Sequence, residues 1–211
     1  MALLLLTSCL LEHEHPISPD PAIDPRLEGV WQFTPKEADE IRNERDEDDL
    51  GVGGYLIISR IDHPELEHDP RTYKVIAIDH TLTSRNSETT IFPEMFISTR
   101  RHNERNLLLV RLAPSELKKA KKEPHLMRSF KNWTIEYDFD EQGCLFLRFF
   151  IASDLEELMN RHPLDIHVSK EPFGPATIQN SEKELLEFYT DPKLLPFLTS
   201  LGKYRKLTPA N

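Results

Sequence analysis

The chain has 211 residues, a length that suits one domain with appendages or two small domains. Its net charge of −10 disfavours nucleic acid as a partner, because binding phosphates along a nucleic-acid backbone needs a concentrated cationic surface. Hydrophobic residues make up 38% of the chain, which is enough for a core, and no stretch approaches the roughly 20 apolar residues of a membrane-spanning helix.

The first nine residues combine a short apolar run, Ala2–Leu6, with the sequence Leu6-Thr7-Ser8-Cys9. This four-residue pattern resembles the lipobox at the end of a bacterial lipoprotein signal peptide. The resemblance implies that Cys9 carries a diacylglyceryl thioether, that a peptidase cleaves before it, and that residues 1–8 are a signal remnant. A signal peptide normally has a positive start and a longer apolar run, and a start codon upstream of Met1 would account for both differences. The alternative is an ordinary cysteine in a frayed N-terminus.

The lipobox resemblance also implies a location and a redox state. The lipid on Cys9 would hold the protein on a membrane of the bacterial cell envelope. Leu10 follows the cysteine, and by resemblance to enterobacterial sorting rules a residue other than Asp there implies the outer membrane. With Cys9 acylated, Cys144 has no intramolecular partner, so no disulfide is expected.

Residues 9–26 read as a proline-rich tether. Four prolines, at positions 16, 19, 21 and 25, stand among Asp, Glu and His. Proline at this density favours an extended spacer, because it cannot donate a backbone hydrogen bond. We therefore expect residues 10–26 to lack regular structure and to pack little, with a single β-rich domain from residue 27 to residue 211.

The first predicted strand is Gly29-Val30-Trp31-Gln32-Phe33. A Gly-x-Trp on the first strand is similar to the opening of lipocalin-like barrels, in which the tryptophan closes one end. That resemblance makes Trp31 a candidate ligand-binding residue and implies a small apolar or anionic ligand. The alternative is a core tryptophan on any β-sheet.

Strand-like runs follow at fairly regular spacing, and they are rich in Ile, Val, Leu, Phe and Tyr. They cover Tyr55 to Ile61, Tyr73 to Ile78, Thr89 to Ser98, Asn106 to Leu112, Trp133 to Phe139 and Leu145 to Ile151. Pro93 interrupts the third run, which indicates an edge or a bulge there.

The clearest strand signal lies between Trp133 and Ile151. In "WTIEYDFD" the apolar residues alternate with polar ones, which is typical of a half-buried antiparallel strand. Residues 140–143 supply a turn, so the two segments predict a hairpin. We expect Trp133, Ile135, Tyr137 and Phe139 to be buried relative to Glu136 and Asp138.

Three capping boxes predict helices. Thr34 with Glu37, Ser153 with Glu156, and Ser181 with Glu184 each place a hydroxyl three residues before a glutamate. The last two boxes lie after the strands. The sequence therefore predicts an α+β fold: an antiparallel β-rich sheet or partly closed barrel, with short helices and with the C-terminal helices packed on it.

Catalytic and metal-binding patterns are absent from the sequence. The nine histidines form no H-E-x-x-H motif, and there is no G-x-S-x-G, P-loop or Rossmann glycine pattern. We predict no cofactor, no metal site and no catalytic residue. Arg148 is the exception in an apolar strand, "CLFLRFFI". If its face is buried, it needs a carboxylate partner, and a structural ion pair or a ligand carboxylate or phosphate would both serve.

The order of elements resembles that of certain small uncharacterised envelope lipoproteins of bacteria. The leading hypothesis is a lipid-anchored cell-envelope protein with a non-enzymatic binding or structural role. Two alternatives stay open. One is a soluble intracellular β-rich protein, and the other is an enzyme of unrecognised type that uses a cavity with Arg148.

Overall fold

The computed structural model describes residues 11–33, 49–61, 71–83, 87–116, 132–151, 158, 166–170 and 176–207. The chain is mainly β, with a few short helices. Its strands are β1 Glu12–His13, β2 Gly29–Phe33, β3 Asp49–Arg60, β4 Tyr73–Thr83, β5 Ser87–Ile91, β6 Met95–His102, β7 Arg105–Leu112, β8 Asn132–Phe139, β9 Leu145–Phe150, β10 Val168–Lys170, β11 Ala176–Ile178 and β12 Leu198–Leu207. The α-helix α1 spans Glu182–Thr190, and 3₁₀ helices span Pro25–Leu27 and Pro192–Phe197.

Eight of the strands form a closed antiparallel barrel. Around the ring the order is β8, β7, β6, β4, β3, β2, β12 and β9, and β9 pairs with β8 to close it. Most neighbours follow each other along the chain, as in an up-and-down barrel. The exception is β12, which returns from the C-terminus to lie between β2 and β9. Closure removes the open edges that a sheet would otherwise expose.

The barrel interior is filled by side chains. Alternate residues of the barrel strands point inward, and among the described ones are six buried aromatics: Trp31, Tyr73, Trp133, Tyr137, Phe149 and Tyr204. An eight-stranded barrel is just wide enough for side chains to fill its centre, so these rings occupy the space that a ligand would need.

The predicted hairpin is confirmed. β8 and β9 pair antiparallel from Glu136↔Arg148 to Phe139↔Leu145, around a turn in which Gly143 adopts a φ of 75°. Trp133, Ile135 and Tyr137 belong to the barrel interior, and Phe139 packs against it. Trp133 and Tyr137 are each 3% exposed and are more buried than Glu136 at 7%, whereas Ile135 at 9% is not. Asp138 is exposed and Phe139 is half-buried, so the predicted order holds for that pair. The prediction of a half-buried strand is wrong, however, because Thr134 and Glu136 on the outer face are buried as well.

The predicted strand around Pro93 is two strands. β5 pairs with the far end of β4, and β6 pairs with its beginning, so residues 92–94 connect two segments on the same side of β4. This agrees with the irregularity that Pro93 predicts, since proline cannot donate to the ladder.

A second layer covers the outer face of β7, β8 and β9. It consists of residues 11–19, which we call the N-terminal segment, together with β10, β11 and α1. Its apolar cluster is separate from the barrel interior and includes Leu11, Ile17, Leu107, Phe150, Leu158, Ile178, Leu185, Leu186, Phe188, Tyr189 and Leu194. The described part of the chain from residue 11 onward therefore packs as one body.

The prediction that residues 10–26 pack little is wrong for the described residues 11–26. Leu11 is only 2% exposed, and β1 pairs antiparallel with β8 and parallel with β11. Ile17 lies in the outer cluster and Ile23 in the barrel interior. The prolines do keep the segment extended. An extended chain can still pair as a short strand with an open sheet edge, and its isolated apolar side chains can still be buried.

The C-terminal capping box is confirmed, since Glu184 Oε2 accepts hydrogen bonds from the backbone N–H and the hydroxyl of Ser181 at 2.8 and 2.7 Å. The sequence did not predict β12, which follows α1 and completes the barrel. The predicted helices after Thr34 and Ser153 lie outside the described residues, except for Leu158, and so does Cys9.

We predict that Gly202→Ala destabilises the barrel by about 2–4 kcal/mol. Gly202 has a φ of 125° at the bulge of β12, and a Cβ there would lie 2.1 Å from the ring of Phe33. Urea unfolding measures the change in the free energy of unfolding.

Gly143→Ala is the matched control for Gly202→Ala. Gly143 also has a positive φ, but its Cβ would meet no atom within 4 Å, so only the backbone cost of about 1 kcal/mol is expected. Equal losses in the two variants would contradict the close packing of Gly202 against Phe33.

Candidate functional site

Trp31 is part of the barrel core. Its side chain is buried, its indole N–H donates to the carbonyl of Leu27 at 2.8 Å, and its ring lies 5.8 Å from that of Phe139. Leu27 and Ile23 join the same interior cluster although they precede the first barrel strand. The segment before β2 therefore packs into the barrel next to Trp31 and satisfies its only polar group.

Arg148 lies on the outer face of the barrel and is paired with Glu136, as the sequence analysis required. The two residues are directly opposite each other on β8 and β9, and Arg148 Nη2 donates to Glu136 Oε1 at 2.9 Å. Arg105 donates to the other carboxylate oxygen. Glu136 is 7% exposed and Arg148 is 38% exposed, so one buried carboxylate holds two guanidinium groups.

Arg148 also borders a surface cavity of about 200 Å³. Two carboxylates, Asp138 and Asp140, line the same cavity with Phe139 and Phe146. Hydrogen bonds from Lys203 and from the backbone N–H of Cys144 lower the pKa of Asp140, so this group stays ionised. A ligand anion would meet these carboxylates, whereas the charge of Arg148 is already balanced by Glu136. The structure does not bring Trp31 and Arg148 together, since they lie on opposite faces of the barrel wall.

A larger cavity, of about 250 Å³, lies between the N-terminal segment and the outer face of the barrel. We call it the outer groove. One wall is the N-terminal segment, and the floor crosses β8, β7, β6 and the start of β4. Its lining consists of His13, Pro16, Ile17, Ser18, Pro19, Arg71, Thr72, Ser98, Leu109, Val110, Arg111, Asn132 and Trp133.

Hydrogen bonds hold the N-terminal segment in place along its length. The backbone N–H of Glu14 donates to Ile178 at 2.8 Å. Further along, the backbone N–H and the hydroxyl of Ser18 donate to the carboxylate of Glu182 at 2.9 and 3.0 Å. The wall of the outer groove is therefore fixed to β11 and to the first turn of α1.

His13 sits at the inner end of this wall. It is 1% exposed, its Nδ1 is 2.6 Å from the carbonyl of His15, and its Nε2 is 3.0 Å from the hydroxyl of Thr134. Burial lowers the pKa of His13 to about 4, although the hydrogen bond to His15 acts in the opposite direction. The imidazole is therefore neutral at pH 7, donating from Nδ1 to His15 and accepting from Thr134.

The sequence analysis missed His13, Arg71 and Arg111 as site residues. Arg111 could have been found, because it follows Val110 in a strand whose alternate residues point inward. The outer groove itself could not have been found, because one of its walls is the N-terminal segment that was expected to lie away from the domain.

Within the described ranges, no three His, Cys, Asp or Glu side chains are grouped as metal ligands would be. In the same part of the chain, no helix combines the length and apolar composition needed to cross a bilayer. Comparison with known proteins gave no family model, no curated protein and no solved structure that matches this chain.

Glu136→Ala should destabilise the protein by about 3–5 kcal/mol, because it leaves two partly buried guanidinium groups without their carboxylate. Arg148→Ala should cost less, since Arg148 is the more exposed partner and Arg105 still neutralises Glu136. Chemical denaturation of both variants measures the difference. A loss for Arg148→Ala as large as that for Glu136→Ala would contradict a cluster centred on the buried carboxylate.

Protonation of His13 should lower the free energy of unfolding by about 3 kcal/mol as the pH drops from about 6.5 to about 4. The unfolded chain protonates His13 near pH 6.5, whereas the folded chain resists protonation until about pH 4. The unfolded state therefore binds more protons in this window, and stability is fully present only above it.

Unfolding measured at several pH values, in the wild type and in His13→Gln, isolates this contribution. The variant should lose this part of the pH dependence while the carboxylates contribute equally to both proteins. Parallel pH profiles for the two proteins would show that His13 is not buried as a neutral group.

Proposed function

We propose that this chain is a lipid-anchored protein of the bacterial cell envelope, held at the outer membrane through Cys9, with a non-enzymatic binding or structural role. The observation that carries the proposal is the sequence Leu6-Thr7-Ser8-Cys9, which resembles a lipobox. Leu11 and the β1 residues are buried directly after the Leu-Thr-Ser-Cys sequence. Only Leu10 separates the proposed lipid-bearing residue from Leu11 in the sequence.

This short connection determines how far the barrel could lie from a membrane that holds the lipid. A cysteine two residues before a buried leucine cannot move far from the barrel, because each residue spans at most about 3.6 Å. A lipid on Cys9 would hold the barrel directly against the membrane surface. Each buried methylene contributes about 0.8 kcal/mol, so several acyl chains would hold it there stably.

The proposed binding role is assigned to the outside of the barrel. The interior of a lipocalin-like barrel can hold a small ligand, but here it is filled by tryptophan and tyrosine side chains. Among the described residues, two cavities that contain polar side chains lie on the outer wall, at Arg148 and in the outer groove. We therefore assign the binding role to the outer groove, between the barrel and the N-terminal segment.

Metabolic labelling with palmitate in the native host tests the anchor. The wild type should take up label and fractionate with membranes, and Cys9→Ser should do neither or should remain uncleaved. Cys144→Ser is the matched control, since Cys144 is a buried free cysteine of the barrel and should not affect labelling. A wild-type protein without label that fractionates with the cytosol would overturn the proposal.

A further inference from the structure

The outer groove is built by the register of four neighbouring strands. Tyr73, Ile97, Val110 and Trp133 form a row across β4, β6, β7 and β8, paired in that order, and all four belong to the barrel interior. Since side chains alternate along a strand, their chain neighbours point outward. Those neighbours are the groove residues Thr72, Ser98, Leu109, Arg111 and Asn132.

The charge in the outer groove is opposite to that of the whole chain. The chain has 36 Asp and Glu residues against 26 Lys and Arg. Among the described residues that line the groove there is no carboxylate, while Arg71 and Arg111 both line it. A carboxylate of α1, Glu182, lies close by but is held by two hydrogen bonds from Ser18.

The other polar groups of the groove can donate hydrogen bonds. Hydroxyls come from Thr72 and Ser98. The hydroxyl of Ser18 and the side-chain amide of Asn132 also line the groove, but they donate to Glu182 and to the carbonyls of His13 and Glu14. Guanidinium forks and hydroxyls together match the oxygens of a phosphate group, which accept several charge-assisted hydrogen bonds at once. The volume of about 250 Å³ suits a small anionic group better than an extended ligand.

We propose that the outer groove binds a phosphate group, with Arg71 and Arg111 as its charged contacts. The phosphate could belong to a small soluble phosphate compound or to a lipid headgroup. The headgroup source rests on the proposed function. His13 follows Cys9 by four residues, so the groove wall would begin within about 14 Å of the lipid-bearing residue, at the depth of the headgroups.

The test uses the full chain carrying Cys9→Ser, so that acylation cannot cause membrane binding. In this background, Arg71→Ala and Arg111→Ala are compared with Arg205→Ala. Arg205 is the matched control, because it is an exposed arginine on β12, across the ring from β6 and β7. Circular dichroism and thermal unfolding show whether each variant is folded.

Inorganic phosphate is titrated by calorimetry and by the fluorescence of Trp133, which lines the groove. Binding of phosphatidylglycerol vesicles is measured separately by flotation. Each groove variant should weaken phosphate or vesicle binding at least about tenfold, since each removes a charge-assisted contact. Arg205→Ala should bind like the parent protein.

The pattern of binding identifies the source of the phosphate. Binding of inorganic phosphate without vesicles assigns a soluble phosphate, and arginine-dependent vesicle binding assigns a headgroup. Binding of neither probe, or binding that both groove substitutions leave unchanged, overturns the proposal. Palmitate labelling is independent of these results. If the wild-type protein takes up no label but binds phosphate, the lipid anchor at Cys9 is wrong and the phosphate site in the outer groove is supported.

Discussion

The return of β12 between β2 and β9 is the constraint on which the rest of the structure depends. Seven strands in chain order could form a curved sheet, but both outer strands of that sheet would expose unpaired backbone groups. β12 pairs with both of them and converts the sheet into a ring. Its register shifts between Ser200 and Gly202, where the chain passes close to the ring of Phe33. A bulge of this kind lets a strand bend enough to close a barrel.

The strand that closes the ring, β9, leaves the beginning of β8 unpaired along the edge that the two strands share. β9 pairs with β8 only from Glu136 to Phe139, whereas β1 pairs with the beginning of β8 at Asn132 and Trp133. The N-terminal segment thus completes the same edge that β9 leaves open. The outer layer that follows from this pairing buries polar groups of β8, and each has a partner. Glu136 accepts from two arginines, and Thr134 lies within hydrogen-bond distance of His13.

Local signals in the sequence predicted the elements well, and long-range pairing explains where they failed. A few neighbouring residues determine each of three features: the alternation in β8, the turn before β9 and the capping box at Ser181. β12 lacks such a signal, because Gly202 and the consecutive cations Arg205 and Lys206 interrupt its alternation. Its position depends on the edges of β2 and β9, which are far away in the chain.

The candidate site was predictable only in part for the same reason. Because Arg148 lies in an apolar strand, the sequence indicates that it pairs with a carboxylate. Identifying that carboxylate as Glu136 requires the register of the hairpin. The groove residues come from five separate segments, and none of them carries a motif. The prolines of residues 9–26 indicated an extended chain correctly, but they did not indicate that Leu11, Ile17 and Ile23 would be buried.

The outer groove couples binding to the docking of the N-terminal segment. His13 and Pro16–Pro19 form one wall, and the barrel strands form the other, so a phosphate in the groove touches both. A ligand that binds only the docked arrangement stabilises it, and docking must in turn strengthen binding by the same factor. Protonation of His13 acts against docking, because the buried imidazole would gain a charge beside Thr134.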